Sequence, residues 1–212
     1  MTSDSPSGSK TNVSSATSSE GGALSEGARR FNDPDIDLML RFKAGDEAAF
    51  EELVKKHTKS VLSIVYRYLV DRSQAEDVAQ DVFVKVYKAR VKYEPAAKFT
   101  TWLFRITVNH CLNEIRSRRS QPVGSAPMEE LLEEPSPENP DDRMNSVELR
   151  NAVRDALDGL PESQRMAVIL ARYNDLSYDE IAETMSLSLE AVKSLLFRAK
   201  ENLKMKLQRF AT

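Results

Sequence analysis

The sequence predicts an all-α chain made of two small helical domains joined by a flexible acidic linker. Three observations carry that prediction. After Asp35, apolar residues recur at three- and four-residue steps, and no strand-like alternation is long enough to compete. Five of the nine prolines (Pro122, Pro127, Pro135, Pro137 and Pro140) fall in one stretch. The same stretch, residues 120–142, carries Glu129, Glu130, Glu133, Glu134, Glu138, Asp141 and Asp142 and no lysine or arginine. A segment so composed is a linker rather than a packed element.

Composition narrows the class further. A hydrophobic share of 41% in 212 residues supports a packed core. Seven glycines argue against a glycine-rich nucleotide fold. Cys111 is the single cysteine, which excludes an intrachain disulfide and suits a reducing compartment. There is no apolar run of about 18 residues and no basic start followed by an apolar core. No membrane span and a cytoplasmic location are therefore expected. The formal net charge is -3, but it is unevenly spread. Lys98, Arg105, Arg116, Arg118 and Arg119 face only Glu114 in residues 98–119. Lys193, Arg198, Lys200, Lys204, Lys206 and Arg209 outnumber Glu190 and Glu201 in residues 186–212. Two basic segments thus flank an acidic one, and distribution matters more than the sum for a nucleic-acid surface.

Residues 1–34 are rich in Ser, Thr and Gly and are expected to be a disordered tail. The N-terminal unit, 35–119, follows. Gly45-Asp46 reads as a break and an N-cap, after which Phe50, Leu53, Val54, His57, Val61, Ile64, Val65 and Tyr68 mark one face of a long helix. His57 in that stripe is expected to be a core residue with a bonded ring nitrogen. Ser73 and Glu76 are spaced as a capping box for the next helix, whose apolar face is Ala75, Val78, Ala79, Val82, Phe83 and Val86. Pro95 interrupts the pattern. Another helix is expected from about Thr101 to Arg119, with Trp102, Leu103, Ile106 and Ile115 inward. Its mixture of aromatics, arginines and amides suits stacking on unpaired bases, although core packing alone explains Trp102 and Phe104 as well.

The last unit, 143–212, resumes the helical pattern at Arg143, with Pro161 opening a further helix. Ser177 and Glu180 form a second capping box. Ser188 can cap the final helix, and Glu190 suits its positive N-terminal dipole. Val192, Leu196, Ala199 and Leu203 form the buried stripe of that helix; Lys193, Phe197, Lys200 and Lys204 form another. A short brace helix, a tight turn and an exposed basic helix make a helix-turn-helix, whose second helix fits the major groove.

The stretches "AEDVAQDVFVKVYKA", "FTTWLFRITVNHCLNEIRSRR", the acidic linker and "LSYDEIAETMSLSLEAVKSLLFRAKENL" occur in that order. Together they resemble the extracytoplasmic-function group of bacterial sigma-70 factors, and the likeness covers residues 35–207. The resemblance implies a factor that brings core RNA polymerase to specific promoter DNA and aids its opening. Residues 77–90 look like the helix that docks on the polymerase clamp, with Asp77, Gln80, Asp81 and Val84 as contacts. Residues 93–99 look like the loop that receives a base flipped from the −10 element. Tyr93, Lys98, Phe99, Thr100, Trp102, Arg105, Asn109 and Asn113 fall on that loop and its helix. Glu190, Lys193, Ser194, Phe197 and Arg198 fall on the −35 reading helix. An anti-sigma factor is expected as a further partner.

Three positions depart from the family pattern. Ser186 stands where Gly is frequent, Ala191 where Thr is frequent, and Leu195 where a cation is common. The missing cation predicts weaker −35 binding or a shallower salt dependence. Two other readings compete: a helix-turn-helix regulator acting without polymerase, and a helical adaptor with no DNA role. No nucleophile–base pair, phosphate loop or metal-ligand set is visible, so neither enzymatic activity nor a cofactor is expected.

Overall fold

A computed structural model describes residues 32–69, 72–118 and 140–210. Among these residues the chain is a set of α-helices with short 3-10 turns and no strand. The helices are α1 (Pro34–Lys43), α2 (Glu47–Tyr68), α3 (Ala75–Ala89), α4 (Phe99–Arg118), α5 (Pro140–Asp158), α6 (Glu162–Tyr173), α7 (Tyr178–Met185) and α8 (Leu189–Lys206). Residues 1–31 of the expected tail (1–34) and residues 119–139, which include most of the expected linker (120–142), lie outside the described residues. Asp33 and Pro34, expected in the tail, instead cap and open α1, because an acceptor and a proline suit a helix start.

The helices α1, α2, α7 and α8 start at a side chain that accepts one of their free backbone N–H groups. Asp33 caps α1, its side chain accepting from the Asp35 N–H, with Pro34 at a position where no donor is needed. Asp46 caps α2 by accepting from the Ala49 N–H, as its sequence context implies. Gly45 before it has φ 108°, a conformation that L side chains rarely adopt. The expected capping box at Ser73 and Glu76 does not form. A 3-10 turn, Arg72–Gln74, leads into α3, and Gln74 at the cap position makes no side-chain cap bond. Tightening the entry turn is another way to meet the first N–H groups. Pro161 is the N-cap of α6 rather than its first helical residue, and its carbonyl accepts the Arg165 N–H. The helix α5 opens at Pro140, before the expected Arg143.

The apolar stripes meet as their periodicity requires. The α2 residues Leu53, Val61, Ile64, Val65 and Tyr68 are buried against α1, α3 and α4, together with Ile36, Met39, Phe42, Val82 and Leu103. His57 is buried as expected, its Nε2 lying 2.9 Å from Asp35 Oδ2. In the second unit α6, α7 and α8 pack together, and Leu157, Leu160, Val168 and Ala199 form a small core of their own.

The two units also pack on each other. Met166, Ile169, Leu170, Ile181, Ala182 and Val192 join the same apolar cluster as the α1–α4 residues. Here α6 lies against α2 and α7 lies against α4. Arg165, 5% exposed, donates across this seam to the Tyr68 carbonyl at 3.0 Å, and the Arg67 guanidinium stacks 3.7 Å from the Tyr173 ring centre. Burial of α6 on nearly every side explains its almost continuous apolar run, Met166 to Leu170.

Candidate nucleic-acid interface

The C-terminal surface is the simpler of the two. Ser177 accepts the Glu180 N–H at 3.2 Å, and Glu180 Oε2 accepts the Ser177 N–H at 2.9 Å, so the expected capping box is complete. The chain then turns at Ser186, φ 55° and ψ 46°, a left-handed residue. Ser188 caps α8 by accepting the Ala191 N–H. Val192 and Ala199 are buried, and Leu196 and Leu203 pack partly against the cores. Glu190, Lys193, Ser194, Phe197 and Arg198 are all exposed, Phe197 at 67%. A helix so held presents one polar, cationic face with a single aromatic ring among it. Leu195 lies at the margin, half-buried.

The N-terminal surface divides. Arg105, Asn109 and Asn113 are exposed and recur every four residues on α4, with half-buried Trp102 at the head of the row. Tyr93 and Phe99, by contrast, are each 1% exposed. Their rings meet edge to face, and Trp102 packs against both. Burial first, then the charges of Asp33 and Asp35, push the Tyr93 phenol well above its ordinary value. These two aromatics therefore belong to the packing that shapes the loop. Thr100 is half-buried, and Lys98 is exposed.

Lys98 is not unengaged. Its Nζ donates to Glu180 Oε1 at 2.8 Å, so one carboxylate closes the α7 capping box with one oxygen and holds the lysine with the other. Burial would raise the Glu180 carboxyl, but the bonds from Lys98 and Ser177 outweigh it and keep the group below its ordinary value. Linear spacing gave no hint of this pair, whose partners are 82 residues apart.

The loop 93–99 is pinned at both ends by α1. Lys43 Nζ donates to the Tyr93 carbonyl at 2.8 Å, and Asp33 Oδ2 accepts the Phe99 N–H at 2.7 Å. Behind Phe99 stands His57, ring centres 5.3 Å apart, and behind His57 is Asp35. Asp35 also receives Lys56 at 2.5 Å. Burial would raise the Asp35 carboxyl, yet the His57 and Lys56 bonds and charges win and hold it below 3.8. With Asp33 and Pro34 expected in the tail, neither this helix start nor the second bond of Asp33 was expected.

On α3, Asp77, Gln80, Asp81 and Val84 are all exposed, Val84 at 47%. Val84 and Gln80 border an apolar groove of about 560 Å³ between α2 and α3, walled by Phe50, Val54, Leu62, Phe83 and Tyr87. Asp81 also lies 3.7 Å from the His110 Nε2, whose ring burial and Lys85 hold below its ordinary value. Cys111 beside it is fully buried, which pushes its thiol up to about 12 and leaves it inert. Among the described residues no cluster of His, Cys, Asp or Glu is placed to hold a metal, and no helix is long and apolar enough to cross a membrane.

Comparison with known proteins places this geometry. Residues 53–121 match the Sigma-70 region 2 family and residues 150–203 match Sigma-70 region 4. The helix α1 precedes the first match. The RNA polymerase sigma-H factor of Pseudomonas aeruginosa is 34% identical over 181 residues, covering 82% of this chain and 94% of that protein. The ECF RNA polymerase sigma-E factor of Escherichia coli K12 is 37% identical over 180 residues, covering 81% and 93%. Among solved structures, CnrH in complex with the cytosolic domain of CnrY matches with a TM-score of 0.64 and 25% identity, over 84% of this chain and 99% of that one. RpoE of Bartonella quintana, in complex with the anti-sigma factor NepR, shares the fold with a TM-score of 0.60 at 21% identity, over 75% and 96%. A helix-turn-helix unit packed on a region 2 unit, matched across both halves, shows that this chain belongs to the extracytoplasmic-function subfamily of sigma-70 factors, which act in transcription initiation.

Proposed function

We propose that the chain grips one promoter at two places while docked on core RNA polymerase in the cytoplasm, and that polymerase supplies all of the catalysis. Residues 35–119 form the polymerase-binding and −10 unit, and 143–212 the −35 unit, with 120–142 setting their separation. Asp77, Gln80, Asp81 and Val84 contact polymerase, the apolar groove beside them receiving its apolar side chains. The loop 93–99 and the α4 row Arg105, Asn109 and Asn113 take the −10 strand. Glu190, Lys193, Ser194, Phe197 and Arg198 enter the major groove at −35, where polar and cationic side chains read base edges and phosphates and an exposed ring suits a thymine methyl.

The observation that supports this best is the exposure of two separate rows of DNA-suited side chains, on α4 and on α8, within a chain of net charge -3. A chain with so few cationic rows binds duplex weakly alone, and a large basic partner completes the site. Because B. quintana RpoE is seen with an anti-sigma factor, we extend a protein antagonist to this chain as well.

A gel shift separates this reading from a stand-alone regulator. A promoter fragment recovered by start-site mapping should be retained by chain plus core polymerase and hardly at all by the chain alone. Tight, sequence-specific retention by the free chain contradicts it.

A further inference from the structure

We infer that α1 is a positioning element for strand opening, and that Asp33 and Lys43 are its working residues. The inference rests on the −10 role proposed for the loop 93–99. The loop leaves a 3-10 turn, Arg90–Lys92, and re-enters the helix at Phe99. Its buried ends are the aromatic residues Tyr93 and Phe99, while Glu94, Ala96 and Lys98 project into solvent. Within 93–99 the one backbone bond runs from the Ala96 N–H to the Glu94 carbonyl at 2.8 Å. At the edges the Tyr93 N–H reaches the Arg90 carbonyl and the Trp102 N–H reaches the Lys98 carbonyl, both at a longer 3.2 Å. A segment of this kind takes many shapes unless its ends are fixed from outside.

Both ends are fixed by one helix. Lys43, in the last turn of α1, holds the Tyr93 carbonyl, and Asp33, at the N-cap of α1, holds the Phe99 N–H. The separations in sequence are 50 and 66 residues, so these are long-range ties. Asp33 uses both oxygens: Oδ1 accepts the Asp35 N–H at 3.0 Å and Oδ2 the Phe99 N–H. One carboxylate thus caps α1 and the start of α4 together. Its charge also meets the positive end of the α4 dipole, which strengthens the second bond. The rigid length of α1 fixes the distance between the two ties, and with it the path of 93–99. The helix is itself anchored, since Ile36, Met39 and Phe42 are fully buried and Asp35 is bound by His57.

The test uses holoenzyme made with core polymerase and the full chain. Asp33→Asn leaves one acceptor where two are used and brings an N–H₂ toward a donor. Lys43→Met keeps the stem and removes the ammonium. Arg41→Ala, also on α1, breaks an exposed pair with Asp46, the N-cap of α2, and serves as the control. The probes are one mapped promoter as duplex and the same promoter with its −10 strands mismatched. Both variants should slow permanganate-detected opening of the duplex by about tenfold, the scale of one lost charge-assisted bond. They should initiate within about twofold of wild type on the mismatched template, with core affinity unchanged and Arg41→Ala normal. Wild-type opening rates in both variants overturn the inference while leaving the −10 role intact. Equal losses on the two templates, or the same loss in Arg41→Ala, also overturn it, because the defect is then general. If Arg105→Ala and Asn109→Ala leave opening untouched as well, the −10 reading itself fails.

Discussion

In the C-terminal unit, every proposed DNA contact stands on one helix. The register of α8 is set within a few residues by Ser188, and its orientation by Val192 and Ala199 beneath it. In the N-terminal unit, the proposed contacts are spread over a loop and a helix, and the loop is shaped by Asp33, Asp35, Lys43 and His57 from elsewhere in the chain. The first surface suits the rigid duplex groove proposed for it. The second is a loop tied down by part-buried polar bonds, with Lys98 already engaged by Glu180 of the other unit. Reading duplex needs a fixed face, whereas capturing an unpaired strand needs a loop held at its ends and free in its middle. In the arrangement seen here, the phosphate contact proposed for Lys98 competes with its pair to Glu180.

The comparison can be broken most forcefully at Asp35. Its carboxylate is nearly fully buried and paired with buried His57. Asp35→Asn leaves that pair broken, and a loss of about 3–5 kcal/mol in chemical denaturation is expected. The pH dependence has a definite sign. The folded carboxyl lies below 3.8, so its contribution is present above pH 3.8 and is lost as pH falls through the lower folded value. The wild-type advantage over Asp35→Asn should therefore persist to about pH 4 and close below it. A gap that closes near neutrality contradicts the assignment.

Next in size is Arg198→Ala, expected to cost about 1–3 kcal/mol in holoenzyme binding at −35, with opening of a −35-independent mismatched template unchanged. Equal loss on both templates would mean that the two surfaces are not separable. Ser186→Gly should then sharpen the C-terminal account by stabilising it. Ser186 sits at φ 55°, and relieving that left-handed strain is worth about 1 kcal/mol. A rise of about 2–4 °C in melting temperature checks it. The smallest effect belongs to Glu180→Gln, which weakens a half-exposed ion pair worth about 0–1 kcal/mol. Stability should hardly change, while the compact form gives way to a more extended one in small-angle scattering at lower salt than for wild type.

How much of this was legible in the sequence follows the same division. Local signals held: Asp46 and Ser188 cap as read, Ser177 and Glu180 close their box, and the α8 stripe points inward. The face on α8 was legible because helical periodicity decides which residues share a face, whereas the α4 row came from the family resemblance and not from spacing. The box at Ser73 was misread because a 3-10 turn competes with side-chain capping for the same N–H groups. Tyr93 and Phe99, read as loop residues for contact, turned out to be buried, since composition cannot say which loop aromatics fold back on the core. The ties of Asp33 and Lys43, the Lys98–Glu180 pair and the shared core of the two units depend on partners 50 to 82 residues away or on packing between units. Spacing carries no record of such pairings.

Start-site mapping tests the central claim most directly. Core RNA polymerase should be run on genomic DNA of the encoding organism, with and without the full chain. A discrete set of starts that appears only with the chain, and disappears when Arg105, Asn109 and Arg198 are replaced by alanine together, is the predicted result. Identical start maps with and without the chain would contradict it.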